Sequence, residues 1–163
     1  MKAAVPSNFV PIFKADEIAK RTEELGQQIG EWASEVQSRT STDVLTVPLL
    51  RGAIFFFSDL VRKIGTSVEV APVRTWGYDP EKNQIDKTLK VNLDGVAAER
   101  RSILLVDDIC DSGRSLCAVS RAFLDAGAYE VKSAVLIQRL IPEAMHVPDW
   151  IGFKYEKDLW FVG

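Results

Sequence analysis

The sequence predicts an α/β fold, a mostly parallel sheet flanked by helices. Three observations lead there. Short apolar runs bounded by turn residues alternate with segments whose apolar residues recur at helical spacing, the pattern of repeated strand–helix–strand units. The 163 residues suit a single core, so positions 1–163 are read as one domain. A hydrophobic share of 47% with 26% charged residues is that of a globular chain, not a disordered one.

From Asp16 to Val36, Ile18, Leu25, Ile29, Trp32 and Val36 recur at helical spacing, and Asp16 suits a first turn. Ser38 to Thr42 reads as a polar break. Val44 to Leu50 reads as a buried strand, Arg51-Gly52 as a turn, and Ala53 to Ile64 as a helix ended by Gly65. Val68 to Trp76 is a second strand candidate. Gly77 to Asp94 is polar and charged, with Pro80, Asn83 and scattered apolar residues, and reads as a long excursion, which in a compact domain is usually functional or disordered. Ser102 to Val106 is a short strand, Gly113 to Ala126 a helix closed by Gly127, and Val131 to Ile137 a further strand. Trp150 to Phe153 and Leu159 to Val162 are two more short strand candidates. No internal repeat or low-complexity segment is present.

Several function classes are disfavoured at once. A net charge of -3 argues against general nucleic-acid binding, which needs a basic face. Met1 to Val10 lacks a long apolar run, and the apolar stretch from Ala53 to Phe57 is broken by Ser58 and Asp59, so neither a secretion signal nor a membrane span is expected. Cys110 and Cys117 form neither a CxxC nor a zinc pattern and read as free thiols in a reducing cytoplasm. With His146 the only histidine, a His-based metal site or a Ser–His–Asp triad is poorly supported, and His146, in the loop-like IPEAMHVPD stretch, reads as a surface residue.

The informative run is Ile103 to Ser115. An apolar strand leads into Asp107 and Asp108; Asp111 follows, then Ser112, Gly113, Arg114 and Ser115 open a helix. In open α/β sheets ligands bind beyond the carboxyl ends of the strands, where the two acids should sit. Adjacent carboxylates suit a ribose diol, with a nearby Mg²⁺ taking oxygen ligands. Asp111 to Ser115 offers consecutive N–H groups at a helix N-terminus, an anion site for a phosphate. Ser112 and Ser115 add hydroxyl donors, and Gly113 lets the backbone approach closely. Each feature alone has a bland counterpart: a strand-end acid pair is often a solvated turn, and Asp111 could simply cap the helix. Asp111-Ser112-Gly113 also matches the aspartic-protease triplet, but those enzymes are all-β, whereas this triplet opens a helix. No Walker P-loop occurs.

ILLVDDICDSGRSL resembles the signature of type I phosphoribosyltransferases. FKADEIAKRTEELGQQI, VPLLRGAIFFFSDLVRKI, LIQRLIPE and VPDWIGFKYEKDLWFVG are similar to segments of the hypoxanthine-guanine members, so the resemblance covers nearly the whole chain. It implies a small hood, made by the N-terminal segment and about 138–163, and a mobile lid at about 77–94. It also implies a purine-salvage transferase that uses Mg²⁺ to join hypoxanthine or guanine to phosphoribosyl pyrophosphate, in a cytoplasmic homo-oligomer (dimer or tetramer) without nucleic acid or membrane.

By this resemblance Asp107 and Asp108 hold the ribose hydroxyls and, through them or through water, the metal. Asp111 is the general acid/base at purine N7, and Asp111, Ser112, Gly113, Arg114 and Ser115 form the 5-phosphate loop. Leu50-Arg51-Gly52 matches the pyrophosphate loop, whose first peptide bond is often cis in the family. Arg139 stands where a lysine binds the 6-oxo group, Trp160 where an aromatic ring stacks on the base, and the Phe161 backbone where the ring edge is read. Arg51 and Arg139 replace lysines with a planar fork, and Thr75-Trp76 replaces the Ser-Tyr that opens the lid. The family continues through Tyr-Gly/Ala-Leu-Asp, whose Asp helps hold a metal through water; this sequence stops at Gly163. Two other readings stand beside this one: a non-catalytic regulator of the same fold that senses a nucleotide, and a sister transferase for xanthine or a pyrimidine.

Overall fold

The computed structural model describes residues 10–79 and 84–156 and, within them, the side chains outside 74–90. The chain runs α1 (Ala15–Thr40), β1 (Val44–Leu50), α2 (Ile54–Val61), β2 (Val68–Val70), β3 (Val73–Asp79), β4 (Gln84–Asn92), β5 (Ser102–Cys110), α3 (Arg114–Asp125), β6 (Glu130–Arg139) and β7 (Trp150–Tyr155). The sheet order is β4-β3-β1-β5-β6-β7, with β2 also on β1. Only β3 and β4 pair antiparallel among these; the other pairings are parallel. The mostly parallel α/β class expected from the sequence is the class observed.

Period-two alternation divides the central strands between two cores. Leu104 and Val106 of β5 face the helix pair α1 and α2, meeting Leu25, Ile29, Val36 and Leu60. Ile103 and Leu105 face the other way, toward Leu116, Val119 and Phe123 of α3. Both faces are covered, which is why β1 and β5 read as continuous apolar runs.

Several boundaries differ from expectation, each for a local reason. Helix α1 continues into the supposed polar break as far as Thr40, with Ser38 Oγ and Thr40 Oγ1 donating to the carbonyls of Ser34 and Val36 within the helix, and it stops at Ser41 with φ 56°. Helix α2 is shorter than expected: beyond Arg62 the chain tightens, with Lys63 N–H donating to Leu60 O. The Val68–Trp76 strand is split at Ala71-Pro72, because Pro72 has no N–H to give the ladder. β2 pairs with the start of β1 and β3 with its end.

Gly77–Asp94 is the larger correction. It is not a loop throughout: β3 runs to Asp79 and β4 returns from Gln84 to Asn92, in register from Arg74↔Asn92 to Asp79↔Gln84, with an irregularity between Trp76 and Tyr78. The candidate strand Leu159–Val162 lies outside the described residues.

Candidate active site

Three neighbouring parallel strands, β1, β5 and β6, end at the same edge of the sheet, and most of the site residues expected from the sequence collect there. At the end of β1 the Leu50–Arg51 peptide is cis, and Arg51 and Gly52 are exposed. A Cβ on Gly52 would lie 2.8 Å from Asp108 Oδ1, so only glycine lets this turn pass so close to that carboxylate.

Strand β5 runs on through Cys110, four residues past its expected end at Val106, because β6 continues to pair with it at Asp107↔Val135, Ile109↔Ile137 and Cys110↔Gln138. Asp107 and Asp108 therefore lie within the strand end, held by its ladder, and both are half-buried. Asp107 Oδ1 accepts from Asp108 N–H at 3.0 Å, and Asp108 Oδ1 from Ile109 N–H at 3.0 Å. Burial, then a hydrogen bond and charge repulsion from Asp108, push the Asp107 carboxyl up to about 8. Without cation or substrate Asp107 thus keeps its proton near pH 7, and a cation bound beside it would favour the ionised form.

Past β5 the chain bends at Asp111 and Ser112, turns left-handed at Gly113 with φ 75°, and enters α3 at Arg114. Cys117 N–H bonds Gly113 O at 2.9 Å and closes the first helical turn. A cleft lined by Asp107 and residues 109–116 opens over this bend. Gly113 was expected to permit close approach; the close neighbour found is the backbone of His146, which a Cβ there would meet at 2.7 Å.

At the end of β6, Arg139 forms an ion pair through Nε with Asp111, its own side chain only 12% exposed. Two residues 28 positions apart in sequence are thereby joined at Asp111, which lines the cleft. Arg139 is no surface residue.

His146 corrects the reading made of it. It is half-buried, with Nε2 2.8 Å from the fully buried Ser133 Oγ, and burial lowers its pKa against the opposing pull of Asp149. Asp149 Oδ2 accepts from both Ser133 N–H (2.8 Å) and Ser133 Oγ (3.3 Å). This is no nucleophilic triad, since the serine faces no solvent and the carboxylate serves the serine, not the imidazole. The sequence signal missed was Ser133, a hydroxyl between Lys132 and the apolar run Ala134 to Ile137. Cys110 and Cys117 are free, as expected, and burial with Asp107 and Asp111 nearby pushes the Cys110 thiol up to about 11, leaving it unreactive near neutral pH.

Trp160 and Phe161 lie outside the described residues. Among the described residues no group of three or more His, Cys, Asp or Glu could by itself hold a metal, and no helix is long and apolar enough to cross a membrane.

The family model for the phosphoribosyl transferase domain matches residues 16–163. The chain is 30% identical over 152 residues to a hypoxanthine-guanine phosphoribosyltransferase of Mycobacterium tuberculosis, covering 90% of this chain and 73% of that one. It is 30% identical over 155 residues to the enzyme of that name from Bacillus subtilis, covering 93% and 81%. Its fold is similar to a hypoxanthine phosphoribosyltransferase structure from Staphylococcus aureus, with TM-score 0.73 at 19% identity over 88% of this chain and 76% of that one.

Proposed function

Because the chain belongs to the phosphoribosyl transferase family, we propose that it moves the 5-phosphoribosyl group of phosphoribosyl pyrophosphate onto a 6-oxopurine, hypoxanthine or guanine, and releases pyrophosphate. The observation that carries this reading is the meeting of the acid pair, the anion loop and Arg139 at adjoining strand ends. A ribose phosphate spans such a site naturally. Its diol faces Asp107 and Asp108, its 5-phosphate the bend from Asp111 to Ser115, and its pyrophosphate the turn at Arg51-Gly52.

In the reaction the bond from the anomeric carbon to pyrophosphate breaks, the leaving group keeping the electron pair, and a bond to purine N9 forms. Positive charge grows on the sugar, as in glycosyl transfer, and the acids beneath it favour that charge. The base gives up a proton as N9 attacks. Asp111, solvent-accessible and paired with Arg139, is the group to manage proton exchange at N7. Arg139 carries only donors, so it suits a 6-oxo acceptor and not the 6-amino group of adenine. Trp160 stacks on the base, the Phe161 backbone reads its edge, and the 77–94 segment, closing over the site, keeps water from capturing the sugar.

Mg²⁺ belongs to the same proposal. Asp107 and Asp108 offer hard oxygen donors but too few for a closed protein cage, which suits a cation that keeps waters and substrate oxygens in its shell. When bound, it neutralises the leaving pyrophosphate. A cytoplasmic homo-oligomer completes the proposal. Following nucleotide formation with Mg²⁺, phosphoribosyl pyrophosphate and individual bases tests it.

A further inference from the structure

Residues 144–149 support the anion loop from behind. Met145 N–H donates to Ser112 O at 2.9 Å. In a trans peptide the carbonyl and the following N–H point in opposite directions. Tying the Ser112 carbonyl back to Met145 therefore turns the Gly113 N–H away from Met145. The His146 backbone closes the rear, so near that a Cβ on Gly113 would meet His146 N at 2.7 Å and its O at 2.8 Å.

Around His146 hydrophobic packing holds little of this segment, since Met145 is 60% and Val147 66% exposed; its buried apolar residue is Pro148, at the far end. Between Met145 and Val147 the imidazole supplies the anchor. Its Nε2 reaches Ser133 Oγ in the middle of β6, where the serine is fully buried. A hydroxyl has one proton and the Asp149 carboxylate can only accept, so with that proton directed to Asp149 at 3.3 Å it is the Nε2–H tautomer that donates to Ser133. The result is a bonded chain from imidazole through hydroxyl to carboxylate, fastened to β6 again by the Ser133 N–H. The Cys110 thiol adds a weak donation to His146 O at 3.8 Å.

We propose that His146 is a positioning residue for the anion loop: bonded to buried Ser133, it fixes residues 144–147 against Ser112 and Gly113 and so aims the loop amide at the 5-phosphate of phosphoribosyl pyrophosphate. The inference rests on reading Asp111 to Ser115 as the 5-phosphate loop. The signature run alone does not give it, because His146 and Ser133 lie outside that run.

Steady-state kinetics on folded variants tests it. His146→Ala is expected to raise KM for phosphoribosyl pyrophosphate about tenfold, the scale of one misdirected bond to a charged group. Turnover at saturation and KM for the base should stay within about twofold. His146→Gln keeps an N–H donor of similar reach and should bring KM back to within about threefold of the unmutated value. An unchanged KM in the alanine variant, or equal losses with Ala and Gln, overturns the proposal. Should His146→Ala not fold, Ser133→Ala, which removes only the bonding hydroxyl, must show the same rise in KM, and an unchanged KM there is equally fatal. Ser115→Ala separates the two levels. If it leaves KM unaltered, the phosphate-loop reading fails and the proposal with it; if it raises KM while His146→Ala does not, only the positioning role fails.

Discussion

Replacing Asp107 with asparagine should make the folded chain more stable while disabling it. The Asp107 carboxyl rises from 3.8 to about 8 on folding, chiefly because it is buried and secondarily because Asp108 stands beside it. A raised carboxyl means the folded state holds the proton more tightly than the unfolded one. Its contribution is complete below about pH 4 and is lost as pH rises through about 8, since unfolding releases a proton throughout that window. At about 1.4 kcal/mol per pH unit the upper bound is about 6 kcal/mol. Solvent entering from the cleft screens part of it, and about 2–3 kcal/mol is a reasonable share. Asparagine is nearly isosteric and neutral at every pH. For a chain of this size the Asp107→Asn advantage should reach about 5–10 °C in Tm at pH 8 and shrink toward zero near pH 4. Scanning calorimetry of both proteins from pH 4 to 9, without ligand and with chelator present, reads this directly. Surface titrations are common to both and cancel in the difference. A gap that stays constant with pH, or narrows as pH rises, refutes the reasoning. The same variant should bind phosphoribosyl pyrophosphate poorly, as expected where a site is kept at the expense of stability.

Changing Asp107 and Asp108 together to asparagine should weaken phosphoribosyl pyrophosphate binding strongly with the fold intact; unchanged affinity by calorimetry would remove the ribose assignment. Asp111→Asn is expected to lower kcat by about 10²–10⁴-fold with smaller effects on binding, and an unchanged single-turnover rate would leave Asp111 as no more than Arg139's ion-pair partner. Arg139→Gln should cut 6-oxopurine turnover and relax discrimination against adenine, about 10⁴-fold when a buried polar group is left unpaired. Equal kcat/KM ratios for hypoxanthine and adenine before and after the change would remove its role.

What could be read from the chain followed from how local each signal was. Strand β1 is legible to the residue, because Val44 to Leu49 are all buried and the apolar run has no other explanation. The acid pair and the Asp111–Ser115 bend are equally plain, since each is a contiguous run whose chemistry depends on adjacent residues. The end of β5 was not legible: Asp107 to Cys110 are strand only because β6 pairs with them, a partner that lies over twenty residues later. The β3–β4 ribbon hid behind charge, its alternation reduced to Ile85, Leu89 and Val91 among lysines and acids. His146 escaped for the same kind of reason. A histidine in a proline-bearing loop looks solvated until Ser133, thirteen residues earlier on a buried strand, is seen beneath it.

The most direct measurement is nucleotide formation from phosphoribosyl pyrophosphate and each purine base separately, with Mg²⁺ and again with chelator. Hypoxanthine or guanine should be converted to its 5-phosphoribosyl nucleotide only when Mg²⁺ is present, and adenine should be left untouched. Efficient use of adenine, or no nucleotide from any 6-oxopurine in the presence of Mg²⁺, would contradict the assignment of the site.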